Sequence, residues 1–152
     1  MSYKIGDVAE RFSLPVSTLR YYDKEGLFPH LERKGGQRFF SERDVELLKL
    51  IECLKKSGLE IKDIRQFILW SQEGAETYEQ RYRLFKKQEA KVEEEIARMQ
   101  DVRDMLRFKC WFYEALLAGE KAEEVKDLSS GKMPADMQVI YKRHFLLEEE
   151  EI

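Results

Sequence analysis

Ser17-Thr18-Leu19-Arg20-Tyr21-Tyr22-Asp23-Lys24-Glu25-Gly26-Leu27 is the stretch that decides the fold of this 152-residue chain. Leu19 and Tyr22 stand three apart and so share one helix face. With Gly26 as a C-terminal stop, they predict a helix from Val16 to Glu25. Pro15 suits its entrance, where a missing N–H is harmless. Tyr21 and Tyr22 cannot share a face, so one of them points outward. Upstream, Ile5, Val8, Ala9 and Phe12 recur at helical spacing until Ser13-Leu14-Pro15 breaks the pattern. Helix, three-residue turn and helix make a helix-turn-helix, whose second helix enters the DNA major groove.

Downstream, Glu32-Arg33-Lys34-Gly35-Gly36-Gln37-Arg38-Phe39-Phe40 sets a Gly-Gly pair between polar residues and an aromatic pair. That pattern predicts a two-stranded hairpin, a wing with Phe39 or Phe40 packed inward. Ser41 and Asp44 resemble an N-terminal cap. The helix that follows should run to about Ser57-Gly58 and bury Val45, Leu48 and Ile51, with Leu47 and Leu54 as further candidates. Another is expected from Ile61 to about Trp70, burying Ile64, Phe67 and Ile68.

A single long helix is predicted from Ala75 to Leu117. Alternating steps of three and four give Tyr82, Phe85, Glu89, Val92, Ile96, Met99, Arg103, Leu106, Cys110, Tyr113 and Leu117. Nine of these eleven are apolar, which is the 3.5-residue period of a coiled-coil seam. Such a helix spans ~65 Å at ~1.5 Å per residue, more than a small head can cover. The economical partner is a second copy of the chain. Glu89 and Arg103 either pair across an antiparallel dimer or point outward on a slightly rotated helix. After it, Ser129 to Pro134 reads as a loop and Met137 to Leu147 as one last helix.

Composition agrees with this plan. Lys+Arg 27 against Asp+Glu 30 gives a net charge of −3, which excludes a polybasic tail-type binder. Hydrophobic residues at 43% argue against a wholly disordered chain, and 38% charged residues with only three prolines favour helices. The balance is uneven, however. Residues 1–40 carry seven Lys/Arg against five acids, while four acids close the chain at Glu148 to Glu151. A mildly basic head on an acidic body is compatible with nucleic-acid binding through the head. No apolar run reaches membrane-spanning length and no signal peptide is read at Met1-Ser2-Tyr3-Lys4, so a cytoplasmic protein without membrane partners is expected. Two cysteines are too few for a disulfide framework or a four-thiolate metal site.

These motifs carry a resemblance. Tyr3 to Ala9, Ser17 to Leu27 and Gly35 to Phe40 are similar to the winged-helix head of the MerR family of bacterial transcription regulators. The similarity continues through Ser41 to Val45 and Ser57 to Ile64, and the long helix matches that family's dimerisation helix in length and place. The expected fold is therefore mainly α, a winged helix-turn-helix head followed by a long antiparallel coiled-coil dimerisation helix. Residues 1–73 form the DNA-binding domain, 75–118 the dimer helix, and 119–152 a short tail and candidate effector region. The resemblance implies a homodimer on an inverted-repeat operator in double-stranded promoter DNA. It also implies bending and untwisting of an over-long promoter spacer so that RNA polymerase engages both elements, and a bacterial protein that sits on the nucleoid when bound. Pro15 and Ser17 depart from the family pattern, so operator sequence is not carried over.

Ser17 and Thr18 open the second helix and would reach base edges. Arg20 and Tyr21 on its flank, with Arg33, Lys34 and Arg38 on the wing, would meet phosphates. Gly36 lets the wing turn take positive φ and approach the backbone closely. For any one of these the competing reading is a solvated surface group. Cys53 is the candidate sensor of an electrophile or oxidant: Lys49 and Lys56 lie on its helix face, and its position resembles the reactive cysteine of an aldehyde- and electrophile-responsive branch. Against this stand the helix C-terminus, which disfavours an anion, and the alternative of a small buried residue. Cys110 reads as a core residue of the seam.

Phe108, Trp111, Phe112 and Tyr113 either pack against the partner's head, the preferred reading, or wall a small-molecule pocket closed by residues 119–147. A regulator answering a non-covalent ligand there, and a coiled-coil interaction protein without DNA binding, are the alternatives. No cofactor or metal is expected. Neither His30 nor His144 stands in a catalytic motif and no phosphate loop appears, so an enzyme is not expected.

Overall fold

The computed structural model describes residues 1–146. The expected helix end at Leu147 and the acidic run Glu148 to Glu151 lie outside the described residues. The chain divides into two compact units, Met1–Ala90 and a second beginning at Lys91.

In the first unit, α1 (Ile5–Arg11) and α2 (Val16–Lys24) enclose the turn read from the sequence. Leu14 N–H donates to the Ala9 carbonyl at 2.9 Å and Ser13 N–H to that of Glu10 at 3.1 Å, which closes α1 with Ser13 at φ 53°. Pro15 is the residue flanking α2, with its ring in place of a side-chain cap. Gly26, at φ 83°, ends α2 as expected: its N–H reaches the Asp23 carbonyl, and Leu27 N–H reaches that of Tyr22.

Strands β2 (Glu32–Lys34) and β3 (Gln37–Ser41) form the predicted wing hairpin. A third strand, β1 (Ser2–Lys4), pairs antiparallel with β3 in the order β1-β3-β2, setting Tyr3 against Phe40 and Lys4 against Phe39. Three residues are too few to display the alternation by which a strand is read from sequence.

Next, α3 (Glu42–Lys56) opens with a full capping box between Ser41 and Asp44. Of its expected core, Val45, Leu48, Ile51 and Leu54 are buried and Leu47 is half-buried. Helix α4 (Ile61–Glu73) buries Ile64 and Ile68 and half-buries Phe67, whose ring meets Phe85 at 5.2 Å. These side chains join Val8, Leu19, Tyr22, Leu27, Phe28 and Phe40 in one apolar core. Phe28 meets Phe40 edge to face at 5.3 Å.

A 3-10 turn, Gly74–Thr77, precedes α5 (Tyr78–Leu117), so the long helix starts three residues later than expected. The corner is fixed by buried Thr77, whose Oγ1 is directed at the Trp70 carbonyl at 2.6 Å. Arg81 Nη2 donates to the Gly74 carbonyl at 2.6 Å. Further along, Gln88 Nε2 donates to the Ser57 carbonyl at 2.8 Å, tying α5 to the end of α3. Tyr82, Phe85, Val92, Ile96, Met99, Leu106, Tyr113 and Leu117, all on the predicted seam, are exposed in the single chain.

In the second unit, the end of α5 carries α6 (Ala122–Lys126), a 3-10 turn at Leu128–Ser130 and α7 (Ala135–His144). Phe108, Phe112, Val125, Met133, Met137, Ile140 and Tyr141 are buried together. Phe108 meets Tyr141 at 5.4 Å and Phe145 at 4.8 Å. This corrects the preferred expectation for the aromatic cluster: Phe108 and Phe112 pack against the chain's own tail, not a partner's head. The tail read as poorly periodic because α6 is only five residues long and a turn separates it from α7.

Candidate nucleic-acid interface

Burial sorts the residues of α2 by face. Leu19 and Tyr22 are 0% and 1% exposed, whereas Tyr21 is 48% exposed, which settles which tyrosine points outward. Ser17 and Arg20 are exposed with Tyr21, and Thr18 is half-buried. Tyr22 is anchored from behind by α3. Its phenol donates to Glu52 Oε1 at 2.9 Å and accepts from Lys55 Nζ at 2.6 Å. Burial first, then the Glu52 carboxylate, holds the phenol well above its ordinary pKa, so it stays neutral and donating.

The wing turn is two residues, Gly35 and Gly36, at φ 57° and 78°. Both values are positive, as a type I′ hairpin turn demands, and no Cβ hinders approach to a backbone. The register sets Arg33 directly opposite Arg38. Both guanidinium groups go to one carboxylate on α2: Arg38 Nε donates to Asp23 Oδ2 at 2.6 Å, and Arg33 Nη2 donates to the same oxygen. Lys34 reaches outward, loosely paired with Glu32 at 3.8 Å and 6.0 Å from the Phe39 ring centroid.

Lys4, Asp7, Arg20, Gly36 and Arg38 are among the residues lining one cavity of about 360 Å³ between the start of α1, the second helix and the wing. Three cations and one carboxylate share this concave face, and Arg38 is already engaged by Asp23. The structure thus gathers Ser17, Thr18, Arg20, Tyr21 and the wing residues on neighbouring elements. Lys4 was missed by sequence reasoning, because its place beside the wing follows from the strand pairing of β1 with β3.

Cys53 is exposed on α3 in the single chain, which counts against the reading of a buried apolar residue. Its carbonyl accepts from Ser57 Oγ at 3.1 Å. Lys49 is engaged by Glu46 at 2.6 Å. Cys110 is exposed too, since its seam position has no cover within the single chain. On the seam, Glu89 pairs with Lys86 at 2.9 Å and Arg103 with Asp104 at 3.7 Å. Among the described residues, no group of three or more His, Cys, Asp or Glu could hold a metal ion.

Comparison with known proteins agrees with this geometry. Residues 3–69 match the MerR HTH family regulatory protein profile, and residues 45–107 match the profile described as MerR, DNA binding. An uncharacterised HTH-type transcriptional regulator of Haemophilus influenzae is 38% identical over 115 residues, 75% of this chain and 85% of the relative. The crystal structure of HiNmlR, a MerR family regulator lacking the sensor domain and bound to promoter DNA, superposes with a TM-score of 0.60. It is 38% identical, across 79% of this chain and 97% of that one. A MerR family transcriptional regulator from Bacillus thuringiensis gives a TM-score of 0.58 at 43% identity, over 72% of this chain and 97% of its own. With its winged helix-turn-helix, its long helix and these relatives, the chain belongs to the MerR family of DNA-binding transcription regulators, which are not enzymes.

Proposed function

We propose that the protein binds an inverted-repeat promoter operator as a homodimer and distorts the duplex to control RNA polymerase, in response to an electrophile or oxidant taken by Cys53. Ser17 and Thr18 read base edges. Arg20, Tyr21, Arg33, Lys34 and Arg38 meet phosphates, with Gly36 allowing close approach. The observation that carries this reading is the exposed face formed by α2 and the wing, backed by a helix whose apolar seam is open. Nine apolar seam positions along α5 need a cover, and a second copy supplies an identical stripe. Distortion of the spacer would place part of the specificity at bases never touched.

Residues 1–73 then act as the DNA-binding part, 75–118 as the dimer helix and 119–152 as a tail. The MerR-type reading places the protein in the cytoplasm, on the nucleoid when bound. Among the described residues, no helix is long and apolar enough to cross a membrane. Thiol sensing is preferred to a non-covalent ligand at the end of α5, because Cys53 is exposed while Phe108 and Phe112 are covered by the tail.

Selection of duplexes from a random library, followed by footprinting, tests the reading. An enriched inverted repeat with hyper-reactive central bases is the expected result. Failure to enrich any duplex at low salt sinks it, and a coiled-coil interaction protein then takes its place.

A further inference from the structure

Two arginines directly opposite one another on antiparallel strands repel, and such a pair weakens a hairpin unless an anion lies between them. Arg33 and Arg38 are such a pair, and the wing is only three and five residues long. The anion comes from another element. Asp23 stands near the end of α2, and its side chain is 6% exposed. A carboxylate so far out of water needs charged partners, and both wing arginines provide them through its Oδ2. Arg38 is 23% exposed and Arg33 56% exposed, so Arg38 is the inner strut and Arg33 keeps a free edge.

We infer that Asp23 is the positioning residue of the DNA interface: it bolts the wing to the recognition helix, so that the phosphate-contacting and base-contacting elements keep one fixed offset. Asp23 itself touches no DNA in this scheme and acts through Arg33 and Arg38. Being an anion on a DNA-facing surface, it opposes binding by simple charge. Its value lies in geometry: with the offset fixed, a duplex presenting bases and backbone at the matching separation binds without reordering the wing. The inference rests on the operator-binding reading above.

The test uses the full-length protein and a duplex that wild type has enriched from a random library, against a scrambled duplex of equal length. For Asp23→Asn, amides 32–41 should exchange at least tenfold faster in the free protein while those of α2 are unchanged. The ratio of enriched-duplex to scrambled-duplex affinity should fall about tenfold, with scrambled binding unchanged or tighter. In an Arg33→Gln/Arg38→Gln background, Asp23→Asn should change neither quantity further. That double variant alone should speed wing exchange, which covers an Asp23→Asn protein that fails to fold. Equal tightening on both duplexes would reduce Asp23 to a repelling charge and overturn the inference. So would an unchanged wing, or an undiminished effect in the arginine-free background. If wild type enriches no duplex, the operator reading falls and takes this role with it. The exchange data then report only whether the carboxylate holds the wing.

Discussion

Tyr22 on the recognition helix donates its phenol to Glu52 on α3 at 2.9 Å, while Lys55 donates to the same phenol oxygen at 2.6 Å. The helix that faces DNA is therefore fixed from behind by a polar triad inside an otherwise apolar contact. Tyr22→Phe should lower the stability of the head by about 2 kcal/mol, because it removes two hydrogen bonds that both go to charged groups. The folded phenol is held above its ordinary pKa, so its contribution is fully present below the unfolded value near 10 and is lost as pH rises past it. Thermal melts from pH 8 to 11 should show wild type losing more stability than Tyr22→Phe. Parallel curves would contradict this.

Ser13 holds φ 53° at the helix-turn-helix corner without being glycine. A left-handed backbone costs an L-residue roughly 1 kcal/mol, less the entropy that glycine loses on folding. Ser13→Gly should raise stability by about 0.5 kcal/mol with DNA binding unchanged, as read by denaturant midpoint and gel shift.

Arg20 lines the cavity beside the wing with Lys4, Asp7 and Arg38. Arg20→Gln should weaken binding similarly on all duplexes and reduce the slope of log affinity against log salt by about 1, the loss of one phosphate contact. Substitutions at Ser17 should instead shift which duplex is preferred, as read by repeated library selection.

Ile96 and Met99 are 46% and 52% exposed on the seam of α5. Ile96→Glu places a charge where an apolar partner is proposed. Sedimentation should show wild type as a dimer and the variant as a monomer or a dimer weakened at least a hundredfold. A wild-type monomer at micromolar concentration would remove the homodimer from the proposal.

Cys53 and Cys110 are both exposed in the single chain, but only Cys110 lies on the seam. Iodoacetamide should label Cys53 quickly and Cys110 slowly in the native protein, and both alike in denaturant. Cys53→Ser should abolish induction by electrophiles in cells while Cys110→Ser retains it. Intact induction in Cys53→Ser would remove the sensor claim.

Much of this was legible in the chain because the head uses strong local signals. Gly26, the Gly35-Gly36 pair and the Ser41–Asp44 box each fix an element end by chemistry within four residues. What was not legible depended on contacts far apart in sequence. Strand β1 exists only through its pairing with β3, and so the place of Lys4 could not be foreseen. The engagement of Arg33 and Arg38 by Asp23 spans ten and fifteen residues and crosses two elements. The cover over Phe108 comes from Tyr141 and Phe145, beyond a five-residue helix with no usable period.

Two fastenings described above, Thr77 to the Trp70 carbonyl and Gln88 to the Ser57 carbonyl, hold the turn just before α5 and the third turn of α5, eleven positions apart. A rod held at two points along its length cannot spin freely in its housing. A roll imposed on this part of α5 would be passed to the head through these two fastenings. Neighbouring base pairs are only about 3.4 Å apart along the duplex, so a small roll is enough to take a reading side chain off its base.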